Sequence, residues 1–343
     1  MSAPHDAGDE EEVVVAYHYP CPDGIFGALA AHLALSARGA RVRWAPLQVF
    51  RPEAERVATL AASLSARATL FLVDITGGAG FIAACCARAA RVVVLDHHKT
   101  GAEDLAQPAL AGLANLEPHF DMARSGATVA RDHFGVAALL EAGGDAARAE
   151  RVLRLFALIE DNDLYKHALP GSREFAAGFS ALGLDLDATK RGGAVFDELL
   201  ALDADAVIAR GREVLVEQER IVDEELKGAF RVDIAAPAPA PGGPLLLATL
   251  AVLTRHPDLR SAQGNKLAAL SAKAGLAAAG AVVYAEESLG AETWKVSLRS
   301  VGDVDTTAAS KVFGGGGHKN ASSFNVARSV FDSWRVAAAP AAS

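Results

Sequence analysis

Three runs in the first part of the chain are apolar at nearly every position rather than at alternate ones: Val13-Val14-Val15-Ala16-Tyr17, Thr69-Leu70-Phe71-Leu72-Val73 and Arg91-Val92-Val93-Val94-Leu95. Such runs predict strands covered on both faces, the habit of parallel sheets. Between them lie Ala-rich stretches of helical character, Gly24 to Arg38 and Glu53 to Leu64, so the segment from Val13 to about Tyr165 reads as a βαβ alternation. Arg124-Ser125-Gly126-Ala127-Thr128 opens a further predicted helix, and another from Arg151 to Glu160 ends at Asp161-Asn162-Asp163. From Leu186 to Lys227 the chain is rich in Glu, Arg, Leu and Ala, with Val207, Ile208, Val214, Leu215, Ile221 and Val222 at helical spacing. This is the predicted connector. Beyond it, Phe230 to Ile234 and Leu245 to Leu253 predict strands, and the Pro-rich segment between them, 235–244, is read as a hairpin loop rather than a domain linker. The tail after about Arg335 is Ala-rich and expected to fray. No internal repeat is evident. The expected architecture is α/β: a parallel-sheet domain over 1–185, a helical connector over 186–228 and a smaller α/β domain over 229–343.

Length agrees with this division, since 343 residues exceed one typical core. Residues AVILMFWYC make up 51% but aromatics only 6%, so the apolar content is mostly Ala, Val and Leu, which suits tightly packed α/β layers. The acidic start, Met1 to Glu12, lacks the basic region and apolar core of a signal peptide, and no apolar stretch is long enough to span a bilayer. Three cysteines, two of them adjacent at Cys85-Cys86, cannot form a disulfide framework and point to a reducing compartment. A cytoplasmic protein with no membrane partner is expected; an organellar location is compatible, and so is a homodimer. The formal net charge of −9 weighs against a surface built to grip long duplex nucleic acid, whose binding depends on neutralising many phosphates.

The predicted strands end in metal-competent side chains. Asp96-His97-His98 follows the third run, Asp74 follows the second, and His18, then Asp23, follow the first. Carboxyl ends of parallel strands share one rim, so residues distant in sequence converge there. Carboxylate oxygen and imidazole nitrogen without a thiolate cage suit Mn²⁺ or Mg²⁺ better than structural zinc. The alternative for any single Asp is a helix cap. Basic residues gather at the same motifs: Lys99 follows the Asp-His-His triplet, and Arg124 and Ser125 precede a helix whose first amides suit a phosphate oxygen as well as a cap. Near the C-terminus, Arg299 stands on a predicted strand before Gly314-Gly315-Gly316-Gly317-His318-Lys319. Consecutive glycines let a ligand approach the backbone and let several N–H groups point at one anion; a flexible linker has the same composition.

Taken together and in this order, Asp74, Asp96-His97-His98, Ser125-Gly126-Ala127, Asp161, Ser297-Leu298-Arg299-Ser300 and Gly315-Gly316-Gly317-His318 resemble the motifs of the DHH phosphoesterase superfamily with its DHH-associated C-terminal domain. The resemblance spans nearly the whole chain. It implies a phosphoesterase holding two ions, Mn²⁺ first and Mg²⁺ as the substitute, with a short oligonucleotide or nucleotide as substrate. By that likeness Asp74 would bridge the ions, Asp23, His97 and Asp161 would complete one, and His18 would serve the other. Asp161 is preferred to Asp163 because an aromatic, Tyr165, follows four residues later. His98, with Asp96 and Asp74 in the catalytic set, would face the scissile phosphate. Lys99, Arg124, Ser125, Arg299, Gly315, Gly316, Gly317 and His318 would hold substrate, the last five at its far end, with the C-terminal domain measuring its length. One departure stands out: the first motif, His18-Tyr19-Pro20-Cys21-Pro22-Asp23-Gly24, lacks its usual first Asp, and Cys21 occupies that approximate place. Cys21 is either a thiolate ligand or a small buried turn residue, with the turn reading preferred. The alternatives in function are an exopolyphosphatase-like hydrolase and a non-catalytic nucleotide-binding module with a degenerate metal site.

Overall fold

Alternate residues of each apolar run face opposite ways, and both faces are covered. In the computed structural model, which describes residues 12–48, 51–237 and 244–337, Val13, Val15, Tyr17, Phe71, Val73, Val93 and Leu95 belong to one core. Val14, Ala16, Leu70, Leu72, Val92 and Val94 belong to a second, on the other side of the sheet. That is why the pattern is continuous rather than alternating. The three runs are β1 (Val13–His18), β3 (Thr69–Val73) and β4 (Arg91–Asp96); with β2 (Val42–Leu47) and β5 (Leu116–Phe120) they form a sheet of order β2-β1-β3-β4-β5. Every pairing in it is parallel.

The two strands that the apolar pattern did not announce are the edges. β2 carries Arg43 and Pro46, and β5 carries Glu117, Pro118 and His119. Edge strands are half solvated and tolerate proline on the open side, so neither the apolar run nor the absence of proline marks them.

Helices α1 (Pro22–Ala37), α2 (Glu53–Thr59), α3 (Ala79–Cys86) and α4 (Lys99–Leu105) connect the strands. The predicted helix over 53–64 is broken into α2 and one 3₁₀ turn, Ala61–Ser63. After β5 come α5 (Gly126–His133), α6 (Val136–Ala142), α7 (Ala146–Asp163), α8 (Ser172–Ala181), α9 (Ala194–Leu200) and α10 (Ala204–Leu226). The chain divides into two compact units after Leu215, inside α10. The first unit therefore takes in most of the expected connector: Val195, Phe196 and Leu199 of α9 and Val207 and Ile208 of α10 are buried in the first core.

The second unit has a six-stranded mixed sheet, order β10-β11-β9-β8-β7-β6, from β6 (Phe230–Ala235), β7 (Leu245–Leu253), β8 (Ala279–Tyr284), β9 (Thr293–Ser300), β10 (Gly316–His318) and β11 (Ala321–Ala327). Only β7 and β8 pair in parallel. β6 and β7 are antiparallel neighbours, as a hairpin reading of the Pro-rich segment requires; its residues 238–243 lie outside the described ones. One face packs Ile234, Val296, Leu298, Phe324, Phe331 and Trp334, and α11 (Arg260–Lys273) covers the other with Leu267 against Val252 and Val282. Two short helices, α12 (Thr307–Val312) and α13 (Arg328–Ser333), complete the unit. In the tail, Val336 N–H still bonds Arg231 C=O at 3.1 Å, and residues 338–343 lie outside the described ones, as do 1–11. No helix of the described residues is long and apolar enough to cross a membrane.

Candidate metal centre

Strand order 2-1-3-4-5 reverses between β1 and β3, and open α/β sheets place their sites outside the carboxyl ends at such a reversal. The polar strand ends meet there. His18 closes β1, Asp74 follows β3, and Asp96, His97 and His98 close β4. His18 Nδ1 lies 3.0 Å from Asp74 Oδ2, and His97 Nε2 lies 3.3 Å from Asp74 Oδ1. Asp74 is a non-glycine residue with φ of 59°, a left-handed conformation that costs on the order of 1 kcal/mol. Its N–H donates to Leu95 C=O at 2.8 Å, which fixes the turn against the neighbouring strand.

Helices bring the other ligand atoms. Asp23, in the first turn of α1 and 1% exposed, accepts the N–H groups of Gly126 at 2.7 Å and Ala127 at 3.1 Å, so its carboxylate also anchors the start of α5. Two glycines permit this crowding. A Cβ on Gly126 would lie 2.7 Å from Asp74 Cβ, and one on Gly24 would meet the His18 carbonyl. From the end of α7, Asp163 brings Oδ2 to 3.5 Å from His97 Nε2, and Asp23 Oδ2 approaches the same nitrogen at 3.6 Å.

Asp163, rather than Asp161, joins this group. Residues two apart on a helix point about 200° from each other, so α7 can aim only one of the pair at the rim. Asp161 turns the other way and accepts Ala168 N–H at 3.0 Å and Leu169 N–H at 3.3 Å, holding the turn into α8. The aromatic spacing that favoured Asp161 carries no information on helix phase, and Tyr165 is 84% exposed.

Three donor sets overlap: Asp74, Asp96, His97 and His98; His18, Cys21 and Asp74; Asp23, His97 and Asp163. Within each set the donor atoms lie within 4.8 Å of one another. Asp74 Oδ1, Asp96 Oδ2, His97 Nε2 and Asp163 Oδ2 are buried without a hydrogen-bond partner. Buried polar atoms are normally paired, so four orphans converging on one place mark a site for an added group. Burial, and then the neighbouring Asp74 and Asp163 carboxylates, push Asp23 well above the usual carboxylate range. Burial likewise raises Asp163. Burial pushes Asp74 up too, but the His18 and His97 imidazoles outweigh it and hold Asp74 well below that range. A divalent cation relieves the carboxylate repulsion and satisfies the orphan atoms at once, and an oxygen-rich set with imidazoles is the donor chemistry for such ions. The residues present fit the group.

His98 is the more open imidazole, 43% exposed. Its Nδ1 lies 2.8 Å from Asp96 Oδ1, which also accepts the His97 backbone N–H at 2.7 Å. That bond comes first among the causes that raise His98 to about 9. Asp96 thus orients the ring through Nδ1.

The expected substrate groups are dispersed. Lys99 is exposed at the start of α4, 3.9 Å from Glu103. Arg124 is engaged by Glu160 at 2.8 Å and Asp132 at 2.9 Å, and Ser125 is buried, its Oγ accepting Thr128 N–H as the cap of α5. Glu160 is the hub here, also accepting Ser125 N–H at 3.2 Å and the Thr128 hydroxyl. A lone Glu on a helical stretch gives no sequence signal of this role. In the second unit His318 pairs with Ala321, which pairs with Arg299, so the two positions lie in one row across three strands. Arg299 donates to Ser297 Oγ at 3.1 Å, Leu298 C=O at 2.9 Å and Ser261 Oγ at 3.1 Å. Gly316 and Gly317 are strand residues of β10 rather than a free loop, while Gly315 precedes it at a place where an added Cβ would meet the Ser323 carbonyl.

Comparison with known proteins found no matching family model and no matching curated relative. Solved structures similar to this chain include exonuclease RecJ bound to manganese, with 18% identity over 94% of this chain and 88% of that one, at a TM-score of 0.47. RecJ of Thermus thermophilus in complex with Mn²⁺ has 18% identity and a TM-score of 0.46; the match covers 94% of this chain but 50% of that longer one. The pGpG-specific phosphodiesterase PggH of Vibrio cholerae has 10% identity over 94% and 95% of the two chains, at a TM-score of 0.45.

Proposed function

We propose that this chain is a metal-dependent phosphoesterase of the DHH type that hydrolyses phosphodiester or phosphomonoester bonds of short oligonucleotides or nucleotides. The observation that carries the reading is the chain of overlapping donor sets on the switch-point rim, with four buried ligand atoms lacking a hydrogen-bond partner among the described residues. In this reading Asp74, His18, Asp23, His97 and Asp163 would hold two divalent ions, Mn²⁺ or Mg²⁺. When bound, such a pair supplies Lewis acidity toward a phosphoryl oxygen and an acidified water as nucleophile.

The chain's own residues do the rest. Asp74 holds His18 and His97 in place from a turn it shares with β4. Asp23 keeps the start of α5 against that turn through two amide bonds. His98, oriented by Asp96, would face the substrate and could pass a proton to a departing oxygen. In the second unit the Arg299 guanidinium and the His318 imidazole offer hydrogen-bond donors for a further phosphate of the substrate, and Arg299 has no carboxylate partner among the described residues. The net charge of −9 disfavours long duplexes, so turnover should be greatest on chains of a few nucleotides.

A panel of dinucleotide, longer RNA, nucleoside bisphosphate and polyphosphate, assayed with added Mn²⁺, tests the reading. Release of mononucleotide from the dinucleotide, lost in Asp74→Ala, supports it. Turnover of polyphosphate alone would replace the substrate class, and unchanged activity in Asp74→Ala would overturn the metal assignment.

A further inference from the structure

The first motif departs from its family at Cys21, and the thiol lies where a ligand is needed. We propose that Cys21 is a metal ligand, forming with His18 and Asp74 a position that selects a thiophilic divalent ion such as Zn²⁺ or Co²⁺ over Mg²⁺ and Mn²⁺. This rests on the reading of the rim as a metal centre and makes its two positions chemically unequal.

Geometry carries the argument. Donor atoms of His18, Cys21 and Asp74 all lie within 4.8 Å of one another. At tetrahedral angles a metal–sulfur bond of about 2.3 Å and a metal–nitrogen bond of about 2.1 Å set the two donors about 3.6 Å apart, so these donors close on one ion with side-chain shifts of at most about 1 Å. Independently of the thiol, Asp74 is 1% exposed and its Oδ2 lies 3.0 Å from His18 Nδ1, so a buried carboxylate and an imidazole already converge beside Cys21.

The backbone does not need a cysteine at this place. Cys21 is the residue before α1, in extended conformation, where an oxygen side chain would cap the helix, yet its side chain makes no capping bond. Its carbonyl accepts Ile25 N–H at 3.1 Å, a bond any residue supplies. The tight packing of Gly24 on the His18 carbonyl folds the turn back, which returns the thiol to the imidazole that precedes it. Cys85 and Cys86 are buried in the core on the opposite side of the sheet, so Cys21 has no disulfide partner.

Donor chemistry then separates the positions. Asp23, His97 and Asp163 give an oxygen-rich set suited to Mn²⁺ or Mg²⁺, whereas imidazole with thiolate and a single carboxylate favours a softer ion. Coordination converts the Cys21 S–H to thiolate, the proton passing to solvent, with no change in oxidation state.

Metal-stripped full-length protein is titrated with Co²⁺ and followed by near-ultraviolet absorption and calorimetry. The expected result is a thiolate-to-cobalt charge-transfer band that saturates at one equivalent, while calorimetry records a further binding event without the band. Cys21→Ser should lose the band, keep the second event and weaken Zn²⁺ binding by at least the roughly 10–100-fold that loss of an outer hydrogen-bond partner costs a metal site. Cys21→Asp should bind two Mn²⁺ and give no band. In the parent, Zn²⁺ should protect Cys21 from alkylation as read by mass spectrometry, a measurement independent of any variant's folding. Cobalt binding without the band, or a band retained in Cys21→Ser, would overturn the proposal and leave the metal centre standing. Absence of any metal binding would overturn both.

Discussion

Replacing Gly126 by alanine puts one methyl group where the metal rim has no room. The added Cβ would lie 2.7 Å from Asp74 Cβ, 2.8 Å from its Oδ1 and 2.9 Å from its Cα. None of these is the tip of a flexible side chain: the Asp74 backbone is held by Leu95 and its carboxylate by His18. Carbon–carbon contact becomes comfortable near about 3.5 Å, so the start of α5 must retreat by several tenths of an ångström. The same start donates to Asp23 at 2.7 and 3.1 Å, and the longer bond would stretch beyond useful length. Overpacking of this kind costs about 1–3 kcal/mol. The weakened amide-to-carboxyl bond adds about 0.5–1.5 kcal/mol. Alanine's helical advantage over glycine, at most about 1 kcal/mol in a helix interior and less at the first position, does not cancel it. A net loss of about 2 kcal/mol lowers Tm by roughly 4–8 °C in a unit of this size. Thermal unfolding of the metal-free protein reads that loss, and calorimetric titration with Mn²⁺ should show weakened binding, since Asp23 and Asp74 are both displaced. Gly316→Ala is the control, because nothing lies within 4 Å of the added atom. A Gly126→Ala protein with parental Tm and parental Mn²⁺ affinity would refute the crowding argument.

Three further outcomes separate roles that the sequence runs together. Asp163→Asn should lose bound metal while keeping parental Tm, whereas Asp161→Asn should keep its metal and lose stability through the turn into α8; metal analysis with thermal unfolding distinguishes them, and the reverse pattern would return Asp161 to the ligand set. Arg124→Ala should lower the stability of the first unit by about 1 kcal/mol, discounted for partial exposure, by freeing Glu160, and should leave KM unchanged; a raised KM with parental Tm would make Arg124 a substrate group. Burial first, then the neighbouring His119 and Arg91 side chains, lower His133 from its ordinary 6.5 to about 4. Between those values the unfolded chain binds a proton that the folded chain refuses, so stability should fall as pH drops from about 6.5 toward about 4 and be indifferent to this group above 6.5. His133→Gln should flatten that part of the Tm profile, and an unaltered profile would refute the assignment.

Much of the first unit was legible because its physics is one-dimensional. A strand covered on both faces must be apolar at successive positions, so β1, β3 and β4 were plain in the sequence, and their carboxyl ends named His18, Asp74, Asp96, His97 and His98 before any coordinates did. Asp23 was named in the same way, a few residues beyond the first run. Edge strands β2 and β5 escaped because a half-solvated strand with proline carries no such pattern. The extent of the first unit escaped because an amphipathic helix announces an apolar stripe but not what the stripe packs against: α9 and the start of α10 turn theirs into the first core.

What only the tertiary structure decided is a matter of direction. Asp161 and Asp163 are equivalent as text, and the phase of α7 against the rim separates them. Arg124 has the composition of a phosphate-binding residue, yet its charge is consumed by Glu160 and Asp132, partners 36 and 8 residues away. Cys21 fills the same turn whether or not it binds metal, and only its distance to His18 and Asp74 turns the thiol into a candidate ligand. The sequence determines which chemical groups stand at the ends of which elements, because burial and periodicity are written locally. Which groups then face one another depends on how the elements pack, and packing joins residues through contacts that no local pattern records.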